Sequence, residues 1–248
     1  FGRVPLYPGF SEWGMLSHAG PITRTVRDAA LAMEVIAGRD DRDRFSLPDT
    51  ELHYLPLSET DLKGLRIAWS QDLGYATVAP PVLQITQAAV KVFDALGSTV
   101  EVASPAIGSP ERPFTLFVGL WLGTVLQDKM EEWREQIDPA LVRFIERNKD
   151  RLTTEFVEAY MQLLEYWNEI QPFFERYDLL LTPTIAVPSI ELGQPGVREI
   201  AGVKVSPLGW MSFTYPFNIT GQPVASIPCG WTDDSLPVGL QIIGRRFD

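Results

Sequence analysis

Apolar positions along this chain change period several times, and each change marks an element. After Thr25, with Asp28 three residues on in a capping-box-like start, Val26, Ala29, Ala30, Met33 and Ile36 fall at helical spacing. Gly38 is placed to end that helix. An acidic, turn-rich stretch leads to residues 64–69, a short apolar run bounded by turn signals that suits a buried strand. Pro81 then opens a long amphipathic helix carrying Leu83, Val90, Val92, Phe93 and Leu96, with Gly97 to close it. Residues 99–102 follow as a second strand. Strand, helix, strand at this spacing predicts a βαβ-like unit with a parallel crossover.

From 113 to 177 the pattern is helical, with breaks at Asp138-Pro139 and Leu152-Thr153, which predicts two or three helices. The aromatic positions Phe156, Tyr160, Tyr166, Trp167, Phe173 and Phe174 are expected to pack a core rather than hold a cofactor. Strand signals return at 178–182, 223–229 and 237–243, each rich in Leu, Val or Ile and flanked by Gly or Pro. The predicted class is α/β, a mixed β-sheet core flanked by helices, in a single domain over 1–248 with no internal repeat.

Composition narrows the function classes. The chain is long enough for a sizeable core, with 248 residues, 45% hydrophobic and 21% charged. Thirty-two acidic against 21 basic residues give a net charge of −11, which would repel a phosphate backbone, so no nucleic-acid partner is expected. The apolar window at 114–125 is interrupted by Gly119 and Gly123 and falls short of the ~20 residues that span a bilayer, so no membrane partner is expected either. A single cysteine, Cys229, forms no internal disulfide and is read as a small buried hydrophobe. With no signal-peptide pattern, the expected location is cytoplasmic. The chain opens on Phe1-Gly2-Arg3-Val4 and stops at Arg246-Phe247-Asp248 directly after an apolar run. Both ends read as cuts through structure, so a fragment is expected.

Reactive constellations are few. His18 and His53 pair neither with each other nor with Cys229, which gives no basis for a zinc site or a Cys/His nucleophile. Phosphate-cradling glycine loops are absent and no cofactor is implied. Gly9-Phe10-Ser11-Glu12-Trp13 approaches a nucleophile elbow but lacks its second glycine, and no Ser-x-x-Lys occurs. Glu131-Glu132 and Asp233-Asp234 suit solvated surface, and the sequon at Asn218-Ile219-Thr220 carries little weight without a signal peptide.

Two blocks carry a resemblance. The first is Leu16-Ser17-His18-Ala19-Gly20-Pro21-Ile22-Thr23-Arg24-Thr25-Val26-Arg27-Asp28, with Ile36-Ala37-Gly38 and Ser46-Leu47-Pro48 after it. The second runs from Asp178-Leu179-Leu180-Leu181-Thr182-Pro183-Thr184 through Phe213-Thr214-Tyr215-Pro216-Phe217-Asn218-Ile219-Thr220-Gly221-Gln222-Pro223 to Leu236-Pro237-Val238-Gly239-Leu240-Gln241-Ile242-Ile243-Gly244. In order and spacing these resemble the C-terminal part of the amidase-signature hydrolases. The resemblance implies a small-molecule amide substrate and a Ser-Ser-Lys triad: a serine in a Gly-Gly-Ser stretch, a second serine bridging it to a lysine, and backbone N–H groups for the oxyanion. All of these would lie upstream of Phe1, for Gly-Gly-Ser occurs nowhere in residues 1–248 and none of Lys63, Lys91, Lys129, Lys149 or Lys204 stands in the family's catalytic position. No catalytic residue is therefore expected in this chain, and its partner would be the missing N-terminal part, with a homodimer left open.

The resemblance places Trp13 to His18 and Trp210 to Asn218 along the far wall of the cleft. The substrate-binding candidates are Trp13, His18, Trp210, Met211, Phe213, Thr214 and Tyr215. His18 is either a cleft residue or hydrogen-bonded structure, and the aromatics are either wall or core. Aligned on Thr214 and Pro216, Met211 stands where the transfer-RNA amidotransferase branch has a carboxylate that recognises the amide, which favours a stand-alone amidase. Ser17, where many members have aspartate, is a further departure. The alternatives are a non-catalytic module and the glutaminase component of the amidotransferase.

Overall fold

In the computed structural model, residues 1–7, 16–49, 51–57 and 61–247 are described. The first helix, α1 (Val26–Ile36), begins where the sequence places it, with Thr25 Oγ1 accepting the Asp28 amide at 3.1 Å, and ends as Gly38 turns to φ 141°. β1 (Arg66–Trp69), α2 (Pro80–Ala95) and β2 (Thr99–Val102) form the expected βαβ unit, with β1 and β2 parallel and Ile67 opposite Val100. The helical stretch resolves into α3 (Glu111–Leu126), the single turn α4 (Met130–Trp133), α5 (Pro139–Asn148) and α6 (Thr153–Arg176). Both breaks fall where expected, and Asp138 caps α5 by accepting the Ala140 and Leu141 amides. A further break before α4, with no proline or glycine to signal it, is an addition.

Strand β3 (Leu179–Pro183), a short β4–β5 hairpin (Glu199–Ile200, Val203–Lys204), α7 (Tyr215–Thr220), β6 (Val224–Trp231) and β7 (Pro237–Gly244) complete the chain. The main sheet has the order β2-β1-β3-β7-β6, parallel from β2 to β3 and antiparallel from β3 to β6. Its mixed character follows from the connections, since a helix carries the chain from β1 to β2 and a turn of Asp233, Asp234 and Ser235 reverses it between β6 and β7.

Alternation along the strands sorts their side chains to two faces. Ile67, Trp69, Leu181 and Leu240 meet Val90, Leu83 and Phe93 of α2, while Ala68, Leu180 and Ile243 meet Tyr166, Ile170 and Phe174 of α6 and Phe217 of α7. A third apolar cluster joins Phe117 and Val118 of α3 to Leu163 of α6 and to Leu16, with Phe156 and Tyr160 packed on it. Helices α3 and α5 touch closely because Gly119 and Gly123 face Asn148 and Lys149; an added Cβ on Gly119 would lie 2.4 Å from the Asn148 Cβ. Of the six helical aromatics expected in the core, Tyr166 and Phe174 are buried, Phe156, Tyr160 and Phe173 are half-buried against the core clusters, and Trp167 is half-buried with the Arg246 guanidinium 5.4 Å from its ring. Among the described residues no helix is long and apolar enough to cross a membrane.

Candidate functional site

Between the β4–β5 hairpin and α7 the chain makes a 3-10 turn, Gly209–Met211, and then enters α7 with Pro216 in its first turn. Five of the seven sequence candidates lie in this one segment. Every carbonyl from Gly209 to Phe213 is used. Gly209 accepts the Ser212 hydroxyl at 2.8 Å, Trp210 the Ala186 amide at 2.8 Å, and Met211 both the amide and the hydroxyl of Thr214 at 3.1 and 3.0 Å. Ser212 accepts the Tyr75 hydroxyl at 3.1 Å and Phe213 the Gln241 side-chain amide at 2.8 Å. Bonds from the loop after β1, the loop after β3 and β7 itself thus fix this short turn and the entry to α7, leaving few unpaired groups that would let them drift.

Side chains in the segment divide by direction. Phe213 is fully enclosed and Tyr215 nearly so, with Phe114 stacked on Tyr215 at 4.9 Å, so these two support the segment from inside. Trp210, Met211 and Thr214 are half-buried and keep open surface. The Trp210 indole lies against Gly196, where an added Cβ would stand 2.6 Å from Nε1. Behind the segment Tyr75, Tyr166 and Tyr215 form a buried phenol group, in which burial raises all three hydroxyls well above the ordinary tyrosine value. They stay protonated, and Tyr75 donates its proton to the Ser212 carbonyl.

His18 stands beside the other end of α7. Asn218 Nδ2 donates to the Leu16 carbonyl at 2.8 Å and lies 3.3 Å from His18 Nδ1, which is also 3.4 Å from the Leu16 carbonyl, so Nδ1 accepts from Asn218 in one tautomer and donates to Leu16 in the other. Desolvation among its neighbours, then the Phe1 ammonium, lowers the imidazole to about 4, while the Leu16 carbonyl at 3.4 Å pulls the other way. The ring is open on its outer edge, so this desolvation is partial. Trp13 lies outside the described residues, as does the elbow-like 9–13 stretch. Cys229, on β6, is half-buried rather than enclosed, and burial pushes its thiol up, which keeps it from serving as a ready thiolate. Among the described residues no group of three or more His, Cys, Asp or Glu side chains could hold a metal ion.

Two contributors to the site went unread in the sequence: Tyr75 carried no signal at all, and Gln241 was the detectable one, a lone carboxamide inside the apolar run 237–243.

Comparison with known proteins gives the arrangement its context. The amidase family model matches residues 1–248. An acylamidase of Rhodococcus erythropolis is 35% identical over 244 residues, 96% of this chain and 50% of that protein. A glutamyl-tRNA(Gln) amidotransferase subunit of Lactiplantibacillus plantarum is 31% identical over 278 aligned residues, covering 100% of this chain and 56% of that protein. The crystal structure of a bacterial aryl acylamidase of the amidase signature family superposes with a TM-score of 0.86 at 30% identity, over 99% of this chain and 53% of that one. The chain spans about half the length of the curated relatives it matches.

Proposed function

Because this chain belongs to the amidase signature family, we propose that the protein it forms part of hydrolyses an amide C–N bond, using a Ser-Ser-Lys triad encoded upstream of Phe1. One pairing supports this reading most. The chain aligns over 96% of its length with half of an acylamidase, yet contains no Gly-Gly-Ser. In this scheme the serine oxygen attacks the carbonyl, the amine leaves with a proton relayed through the bridging hydroxyl, and water releases the acid from the acyl-serine.

This chain's share is a wall and a docking edge. Trp210, Met211 and Thr214 offer open, uncharged surface on a segment held by its own carbonyls, with Phe213 and Tyr215 behind them. His18, neutral at ordinary pH, flanks α7 as a hydrogen-bonding group rather than a base. The side of β6 away from β7 receives the upstream part of the sheet.

Without a charged group in this wall to hold a carboxylate or ammonium, uncharged apolar or aromatic acyl amides fit better than glutamine. The 31% identity to an amidotransferase protein keeps a glutaminase as the second reading, against which stands Met211 in place of that branch's carboxylate. The test compares kcat/KM for an aryl amide and for glutamine in the full-length protein, beside Trp210→Ala. The aryl amide is expected to be preferred, and Trp210→Ala to lower its kcat/KM about tenfold. Preference for glutamine, or indifference to Trp210→Ala, would revive the glutaminase.

A further inference from the structure

We infer that Gln241 is a positioning residue for the substrate wall: its buried carboxamide fixes the Phe213 carbonyl and so sets how Trp210 and Met211 face the cleft. The functional half of this inference rests on the amide-hydrolase reading above. Gln241 is 3% exposed on β7, directly opposite Thr182 of β3. A carboxamide there is costly unless its polar atoms are bonded, and packing alone would be served by leucine.

The hydrogen bonds have a direction. Gln241 Nε2 donates to Phe213 O at 2.8 Å and to Thr182 Oγ1 at 3.1 Å. Thr182 donates its own proton to the Pro183 carbonyl at 2.8 Å, so its oxygen faces Gln241 as an acceptor. Two acceptors therefore meet the same nitrogen. Turning the amide over would set Oε1 against both, and a carboxylate would do the same. What this place demands is a terminal NH2, and among side chains of this size only glutamine supplies one uncharged.

That NH2 is also the link between the sheet and the wall. The Phe213 ring is fully enclosed, so its carbonyl moves only if the 3-10 turn and the entry to α7 move with it. Tyr75 holds the neighbouring Ser212 carbonyl from the loop after β1, and together the two bonds define the tilt of the segment carrying Trp210 and Met211. Displacement of a positioned group by about 1 Å can cost on the order of a hundredfold in rate.

The experiment uses the full-length protein with Gln241→Met, which keeps the volume and loses the donor. On 4-nitroacetanilide, which reaches the wall, kcat/KM is expected to fall about tenfold or more, chiefly through KM, while propionamide, too small to reach it, changes less than about threefold. Equal losses on both substrates, or none on either, would overturn the positioning role. A readout independent of turnover is 19F NMR of 5-fluorotryptophan-labelled protein, with the Trp210 line assigned through Trp210→Phe. That line is expected to shift in Gln241→Met, and an unmoved line overturns the inference. Should Gln241→Met not fold, Thr182→Val removes the oxygen that orients the amide and is expected to give the same changes at smaller size, their absence counting against the inference. If the wild-type protein cleaves neither amide, the hydrolase reading fails while the 19F line still judges the positioning.

Discussion

At β2 the main sheet stops in a strand of four residues, with Glu101 in its middle accepting the Tyr177 hydroxyl at 2.8 Å. At β6 it stops in a strand of eight, Val-Ala-Ser-Ile-Pro-Cys-Gly-Trp, without one charged residue and with Trp231 66% exposed. Shortness, charge, proline and bulges are the features that keep a sheet edge from pairing. β2 has the first two, being four residues long with one carboxylate. β6 has the other two only locally, at Pro228 and the register shift between Pro228 and Gly230, and among the described residues it pairs only with β7. The difference marks two kinds of edge: β2 is short and carries a carboxylate, while β6 is long and uncharged and is the edge proposed above to receive the upstream part of the sheet.

The largest expected effect tests that contrast directly. The 248-residue chain by itself should self-associate or bind a hydrophobic dye, with a sedimentation mass about twice that of one chain or more. Ala225→Lys with Ile227→Lys on β6 should return it to monomer, whereas Val102→Lys on β2 should change nothing. A clean monomer with no dye binding would erase the difference between the edges.

A smaller effect concerns His18, which lies beside α7 with Leu16, Asn218 and Phe1 as neighbours. Its folded value of about 4 lies below the ordinary 6.5, so the unfolded chain binds a proton that the folded chain refuses between those values. Stability is thus complete above pH 6.5 and falls as pH drops toward 4, and His18→Gln should flatten that part of a denaturant-midpoint profile. Where Phe1 is joined to a preceding residue its ammonium is lost, and the histidine should titrate higher than in the 248-residue chain. A profile unchanged by His18→Gln would remove this coupling.

Periodicity made the framework legible because burial enforces it. The strand around Leu180, the helix opened at Pro80-Pro81 and the Thr25 cap all follow from rules that act within a few residues. Short elements escaped: α7 is six residues in a stretch of aromatics, and the β4–β5 hairpin turns on Ala201 and Gly202, both at positive φ, without a marked strand on either side. The wall was located by resemblance, but the sequence could not tell Phe213, pointing inward, from Trp210, partly open. That division depends on carbonyls bonded by Tyr75, Ala186 and Gln241, and the Tyr75 and Gln241 side chains come from 137 and 28 residues away. Long-range polar contacts leave no periodic trace, which is why the role of Gln241 was not read from its place in an apolar run.

The most direct measurement is amide turnover by the 248-residue chain beside the full-length protein, each given 4-nitroacetanilide and freed of contaminating amidase. Turnover is expected in the full-length protein alone, because the proposed triad lies upstream of Phe1 and loss of a triad removes nearly all the rate. Turnover by the 248 residues themselves, abolished by changing one of their own serines, would contradict the assignment of this chain as the wall and docking half of an amide hydrolase.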